Sequence, residues 1–542
     1  MSFSNTAVDV LSDRLEGPIT VQTFHAFTQL LTRSHYRTLG FSRAPALLAP
    51  TGQLAHVRNA IRASRRERVA IRAGTGVNLS TNDEHKRLAE FFTRIQGDGK
   101  LAKQLASDPE SEFSQYLPVL NALRQIHHRY REAKHQANVI DYGDMLRLGR
   151  AALEQGLGLP YQYLFVDECQ DMSRAQVQLL SVLATVISHV MTFGDPFQAV
   201  FGFSGGRFQP LSSSMDGVHT FRLTQSFRLT QRTANLASAI GAPLLDDQLA
   251  IRGLGTGLKP LLVHCQTIHH QTQRAVNIIG AITVTSCAMP AIAVLARTKA
   301  QLRDLEVALL AVGYNAQPLH RQSLPKHIDT LFNILDLAEQ CGAHITETPK
   351  LTGRQLERSL LVAAGMAEAQ INNKVVAACR RSLQAVLLSP TLQGRYVGAR
   401  KVYEKLLRSV DLLDSDTRAE LGRWEPLSDR FTSFSDFQQY IHEVLSKPAI
   451  ALATIHASKG KEWDHVLLLG LTDGSLPFYR MVDGEAEDEE RRLFYVAASR
   501  PRERLYMFHA PYHHAPSGST YERRSRFMAP QMMKLVDVPH KR

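Results

Sequence analysis

Apolar positions along this chain fall into two alternating patterns. Short apolar runs ending in small or polar residues occur at 19–24, 162–167 and 189–194, and each passes into a stretch with apolar residues every three to four positions. Runs of this kind predict strands of a parallel sheet, with the helical stretches as crossovers. A second series at 260–264, 291–296, 449–455, 464–470 and 504–508 predicts a second α/β layer system. Two long segments, 34–134 and 310–446, keep helical spacing and show no strand pattern; Leu331-Phe-Asn-Ile-Leu-Asp-Leu-Ala is an amphipathic example. The expected organisation is α/β, with two parallel-sheet domains (1–33 with 135–215, and 216–309 with 447–512), each carrying a mainly helical insertion. A loosely ordered basic tail, rich in His, Arg, Pro and Met, is expected over 513–542.

Composition narrows the function. At 542 residues and 44% hydrophobic content the chain is long enough for several packed cores. The 63 Lys+Arg outnumber the 51 Asp+Glu, giving a net charge of +12, which favours a polyanionic partner such as nucleic acid. The run Arg62-Ala-Ser-Arg65-Arg66-Glu67-Arg68 suits phosphate contact, although a solvated helix face is the commoner role of such a run. Cysteines 169, 265, 287, 341 and 379 are scattered without C-x-x-C spacing, which argues against a disulfide framework or a zinc ribbon. No signal-peptide pattern and no long apolar run is present, so a cytoplasmic protein without membrane contact is expected.

The candidate chemistry centres on Tyr163-Leu-Phe-Val-Asp167-Glu168-Cys-Gln170-Asp171, an apolar run that ends in adjacent carboxylates. A buried parallel strand would deliver these acids to the carboxyl edge of the sheet, where ligands bind in open α/β folds. In nucleotide hydrolases an Asp there holds Mg2+ through its water shell, and a neighbouring Glu orients or deprotonates the attacking water. Gly194-Asp195-Pro196-Phe197-Gln198-Ala199-Val200-Phe201-Gly202-Phe203 closes another strand with a Gln and two aromatics placed for phosphate sensing and base stacking, or for core packing. Thr454-Ile455-His456-Ala457-Ser458-Lys459-Gly460-Lys461-Glu462-Trp463 joins two strands through a polar loop, and Glu489 to Arg500 reads as a helix ending in an arginine.

Taken in order, these segments resemble the motif series of the UvrD/Rep family of superfamily 1 DNA helicases. Phe3-Ser4-Asn5-Thr6-Ala7, Thr23-Phe24-His25-Ala26-Phe27, Ile140-Asp141-Tyr142-Gly143-Asp144-Met145-Leu146 and Gln225-Ser226-Phe227-Arg228 complete the series. Each is weak alone, but the whole series in order is hard to obtain by chance. The resemblance implies two RecA-like domains, ATP and Mg2+ as cofactors, and 3′ to 5′ translocation on single-stranded DNA and its junctions with duplex, with a monomer as the working expectation. Residue by residue, it implies Mg2+ binding by Asp167, water activation by Glu168 and phosphate-state coupling by Gln198. Arg228 and Arg500 would serve as arginine fingers on the γ-phosphate, and Glu462 would contact the nucleotide ribose. Phe3, Asn5, Thr23, Phe24, His25, Phe201, Phe203, His456 and Lys459 would contact DNA. Cys169, Ser204, Lys461 and Pro501 depart from the family pattern.

The larger departure is that no G-x-x-x-x-G-K-[ST] loop occurs among the 542 residues. The expectation is an N-terminally truncated ATP-dependent helicase, unable to hydrolyse ATP alone, with unpaired backbone left beside the acidic strand. The alternative is a non-catalytic helicase-like protein that binds single-stranded DNA or a partner.

Overall fold

The computed structural model describes residues 1–2, 5–98, 114–200, 217–244, 250–319, 324–342, 353–366, 373–387, 389–410, 412–413, 415–479, 484–515 and 518–539. The chain divides into two units, Met1–Arg222 and Leu223–Arg542.

In the first unit β1 (Ala46–Leu47) pairs in parallel with β2 (Val139–Ile140), and β3 (Tyr163–Val166) pairs in parallel with β4 (His189–Thr192). The other side of β3 is taken by the first residues of the chain. The Asp167 amide donates to the Met1 carbonyl at 2.9 Å, and the Met1 ammonium donates to the Phe165 carbonyl. The acidic strand is therefore paired with β4 on one side and, at Phe165 and Asp167, with Met1 on the other. Within the β3–β4 pair, β4 has no outer neighbour among the described residues. The strand expected over 19–24 is also absent; only a single bridge links Thr23 to Ser2. The reason is local: the Thr23 hydroxyl accepts from the Ala26 amide at 3.1 Å, capping helix Phe24–Ser34 and ending the extended stretch.

Alternation along β3 divides its side chains. Leu164 and Val166 enter a core with Phe24, Phe27, Leu31 and Leu179. On the opposite face Tyr163 is 61% exposed, Phe165 53%, Met191 52% and Phe193 43%. Tyr163 stacks on His189 with ring centroids 4.8 Å apart, and Phe165 on Phe193 at 6.5 Å. Parallel sheets ordinarily bury both faces. This one shows an apolar face to solvent among the described residues.

Helices Pro50–Arg62, Arg65–Thr75, Asn82–Asp98 and Leu120–Gln136 enclose a separate core around Val57, Phe92, Leu123 and Tyr130. Where they rejoin the sheet layer, Asp141 caps helix Tyr142–Glu154 in a reciprocal box with Asp144. The same two carboxylates receive the buried ammonium of Lys134.

The second unit is built on one parallel sheet. Its strands are β5 (Leu261–His264), β6 (Ile292–Ala296), β7 (Ala316–Pro318), β8 (Ile450–Thr454), β9 (Trp463–Leu468) and β10 (Pro501–His509), in the spatial order β5-β10-β9-β6-β8-β7. Every residue of β6 is buried, as a central parallel strand requires. Helices from Lys326–Gly342 to Phe434–Leu445 form a second core around Phe332, Tyr396, Trp424 and Phe437.

The tail over 513–542 is more ordered than its composition suggests. Tyr512–Ala515 and Gly518–Tyr521 form an antiparallel hairpin, and Phe527, Met528 and Met532 are buried. Phe527 stacks on Phe494 while the Arg491 guanidinium lies 4.5 Å from its ring centre. A few large apolar anchors in a polar segment are enough to dock it.

Candidate functional site

In the first unit, the chain turns sharply after β3. Glu168 adopts a left-handed backbone conformation, with φ of 54° and ψ of 42°, and its amide donates to Asp167 Oδ1 at 3.0 Å. The turn places the two carboxylates together at the carboxyl end of the strand. From there a hydrogen-bond relay crosses to the end of β4. Gln170 Nε2 donates to Glu168 Oε2, the Asp195 amide donates to Gln170 Oε1 at 3.1 Å, and Gln198 Nε2 donates to Asp195 Oδ2 at 2.7 Å. Gln170 is buried, so its amide orientation is fixed by these two partners. Gly194 is what lets the strands come this close: a Cβ there would lie 2.6 Å from both Cys169 Sγ and Gln170 Oε1.

The arrangement thus joins Asp167, Glu168 and Gln198, the three residues expected to act together. It does so through Gln170 and Asp195, which were not singled out. A Gln two residues after Glu168 and an Asp opening the Gly194 turn were the available signals. The oxygen donors suit a hard cation, and one carboxylate at a strand tip is the usual protein share of a Mg2+–nucleotide site. No cluster of three or more His, Cys, Asp or Glu that could enclose a metal occurs among the described residues.

In the second unit Arg228, Glu462 and Arg500 come together, with Arg502 as an unforeseen partner. Arg228 Nε donates to Glu462 Oε2, and its Nη1 donates to the Ser499 carbonyl at 3.3 Å. Glu462 also accepts from Arg502. The hydrogen bond from Arg502, then that from Arg228, pulls the Glu462 carboxyl down to about 2. Arg502 is only one strand position beyond Pro501, but nothing in the spacing marked it.

Arg500 corrects an expectation. It is 1% exposed, and it donates to the Val496 carbonyl at 3.0 Å, the Lys461 carbonyl at 3.1 Å and Ser499 Oγ at 2.8 Å. As placed, it ties the end of helix Gly484–Ala498 to the loop before β9 and presents no free fork to a phosphate.

The DNA-contact expectations divide similarly. Phe24 is 1% exposed within the sheet core, so its ring has no face open to a base. Thr23 is the helix cap, and His25 packs edge-on to Tyr142 with centroids 5.5 Å apart, its basicity lowered by burial. His456 and Lys459 lie at the single turn after β8. Burial, then the charge of Arg297, pushes His456 down to about 4, so it is a neutral group at pH 7 and not a phosphate-pairing cation. Phe3, Phe201 and Phe203, with Ser204, lie outside the described residues, as does the side chain of Asn5.

No described helix is long and apolar enough to cross a membrane. Comparison with known proteins converges on one family. Residues 1–217 match the UvrD/REP helicase N-terminal domain and residues 427–511 the UvrD-like helicase C-terminal domain. DNA helicase II of Escherichia coli (strain K12) is 23% identical, over 97% of this chain and 80% of its own. The ATP-dependent DNA helicase PcrA of Leuconostoc citreum is 22% identical, over 92% of this chain and 73% of its own. DNA helicase II of Rickettsia typhi is 21% identical, over 94% and 84% respectively.

Proposed function

This chain belongs to the UvrD/Rep family of helicases, and from that premise we propose that it is the body of an ATP-dependent DNA helicase. The proposed motor moves 3′ to 5′ on single-stranded DNA and engages its junctions with duplex. One observation carries the reading: the relay Glu168–Gln170–Asp195–Gln198 beside Asp167. A carboxylate whose orientation is fixed by a buried amide is suited to align a water and take its proton. The relay then connects that acid to the chain leading to Phe201 and Phe203, the stretch assigned to DNA.

Asp167 would hold Mg2+ through water; when bound, the ion would neutralise charge on the nucleotide phosphates. Arg228 is the fork assigned to the γ-phosphate, with Glu462 holding it extended until a phosphate competes for it. Arg500 takes a positioning role, keeping the loop that carries Glu462 in register with helix Gly484–Ala498.

The phosphate cradle is assigned to chain outside these 542 residues, which contain no matching loop. Two features support this. β4 has no outer neighbour among the described residues, and the exposed face of Tyr163, Phe165, Met191 and Phe193 adjoins a groove of about 1000 Å³ lined by Leu11, Leu15, Ile19 and Phe165. A strand and helix bearing the cradle would cover both.

DNA-stimulated ATP hydrolysis tests the proposal, measured on the 542-residue chain and on a form extended with its own upstream-encoded residues. The expected result is turnover only in the extended form, lowered by orders of magnitude in Glu168→Gln with DNA affinity kept. Full turnover by the 542-residue chain would remove the missing-cradle reading. Unchanged turnover in Glu168→Gln would remove the role of Glu168.

A further inference from the structure

The arginine run noted in the sequence has a second side. Arg58 and Arg62 stand one turn apart on helix Pro50–Arg62, and Arg68 projects from the next helix. With Ser80 and His85 they line a pocket of about 280 Å³ floored by Ile61 and Leu79. Among the described residues, no carboxylate lines it. Glu67, the acid within the run, is engaged elsewhere by Arg129 at 3.1 Å. Neither Arg62 nor Arg68 forms an ion pair with a described residue.

Two buried polar atoms in this lining lack partners. His85 is 8% exposed; its Nε2 bonds the Leu79 carbonyl at 2.8 Å, while its Nδ1 has no hydrogen bond. Arg68 Nε is likewise buried and unpartnered. Such atoms are uncommon in native proteins and call for a ligand or water to satisfy them. Burial, and then the charges of Arg58 and Arg62, hold His85 below its ordinary value, as expected of a positive pocket.

We propose that this pocket is a phosphate-binding site on the helical part of the first unit, separate from the acidic tip of β3. Guanidinium forks match phosphate oxygens in planar, bidentate pairs, and a phosphate would supply the acceptors that Arg68 and Arg62 lack. The volume suits one phosphate group and is below that of pockets that enclose a whole drug-sized ligand. Two sources share this chemistry: a phosphodiester of the DNA backbone, which rests on the helicase reading, and a terminal or free phosphate, which does not.

The test uses the full chain and charge-matched double variants. Arg62→Gln/Arg68→Gln removes two pocket charges, and Arg65→Gln/Arg66→Gln removes two charges from the same helix region outside the pocket. Arg62→Lys/Arg68→Lys keeps charge while losing the forks, and serves as the folding control. Single-stranded oligonucleotides with and without a 5′-phosphate are titrated across salt concentrations, and thermal shifts are recorded with inorganic phosphate and pyrophosphate. Backbone binding predicts a salt slope about 1.4 shallower in the pocket variant, from two lost contacts at about 0.7 each, and little change in the outer variant. Terminal binding predicts that only the 5′-phosphorylated oligonucleotide and the free anions lose their effect in the pocket variant. Equal responses of the two variants, or none in either, would overturn the proposal. If the chain binds no DNA at all, the helicase reading fails first and the free-anion arm still decides: a phosphate-dependent shift lost in the pocket variant supports the site, and no shift in the unsubstituted chain overturns it.

Discussion

Replacing Lys134 by Met should loosen the helical part of the first unit more than any surface change. The Lys134 ammonium contacts Asp141 and Asp144, at 2.5 Å for the latter, and the three side chains are 2%, 1% and 7% exposed. It also lies 4.4 Å from the centre of the Tyr130 ring, whose hydroxyl donates to Asp141 Oδ2 at 2.6 Å. Removing one partner of a buried ion pair costs about 3–5 kcal/mol, because the remaining charge stays desolvated. Here two carboxylates remain. Arg147, at 3.3 Å from Asp144, compensates in part, so the lower end of about 3 kcal/mol is expected. Set against a domain stability of about 5–15 kcal/mol, that is a large loss. Burial works to raise the Asp144 carboxyl, but Lys134 and Arg147 outweigh it and hold it below its ordinary value. In Lys134→Met that balance reverses. A carboxyl raised above its unfolded value is destabilising when charged, so the penalty should be full near pH 7 and shrink toward pH 5. Both tryptophans, Trp424 and Trp463, lie in the second unit, so their fluorescence would miss the change. Hydrogen exchange of peptides covering 120–154 reads it directly. Adding Asp144→Asn should recover at least half the loss. A cost below about 1 kcal/mol, or one that grows as pH falls, would refute the reasoning.

Three further outcomes are expected. Gly194→Ala forces a methyl group to within 2.6 Å of Cys169 Sγ and Gln170 Oε1, and should cost about 1–3 kcal/mol by urea unfolding; a neutral result would mean that the relay is not closely packed. Glu462→Gln should lower stability by about 1 kcal/mol, the modest value appropriate to a partly exposed pair. Because the Glu462 carboxyl sits at about 2 against an ordinary 4.5, its contribution is in place above pH 4.5 and is lost as pH falls toward 2, so the gap from the unsubstituted protein should close in that window. Phe527→Ala, at a fully buried position, should cost about 3–5 kcal/mol in thermal or chemical unfolding, whereas an unstructured tail would tolerate it.

How far the sequence determines this picture depends on the range of the interactions. Apolar runs located β3, β5 and β6 within a residue or two, because a strand buried on one or both faces has little freedom in composition. Asp141 and Asp144 lie in one motif of the series, but their role as a helix cap and its reciprocal partner emerged only from the structure. What depended on tertiary contact was not legible. Nothing local indicates that Met1 lies against β3, that Phe24 turns into the core, or that Arg500 spends its donors on its own unit's carbonyls. Residues 19–24 have the composition of a strand and lose to a threonine cap. The tail misled for the opposite reason, since its average polarity conceals Phe527, Met528 and Met532.

The last described residues also bear on how the protein can be handled. Asp537 accepts from the Leu262 amide at 2.8 Å and donates to the Pro260 carbonyl at 2.8 Å, occupying the rim of β5 at the margin of its sheet. A C-terminal fusion partner or purification handle that replaces the chain from Asp537 onward would remove this clasp and bare the rim of β5, an edge that neighbouring molecules could then pair with. One attached after Val538 would leave the clasp in place.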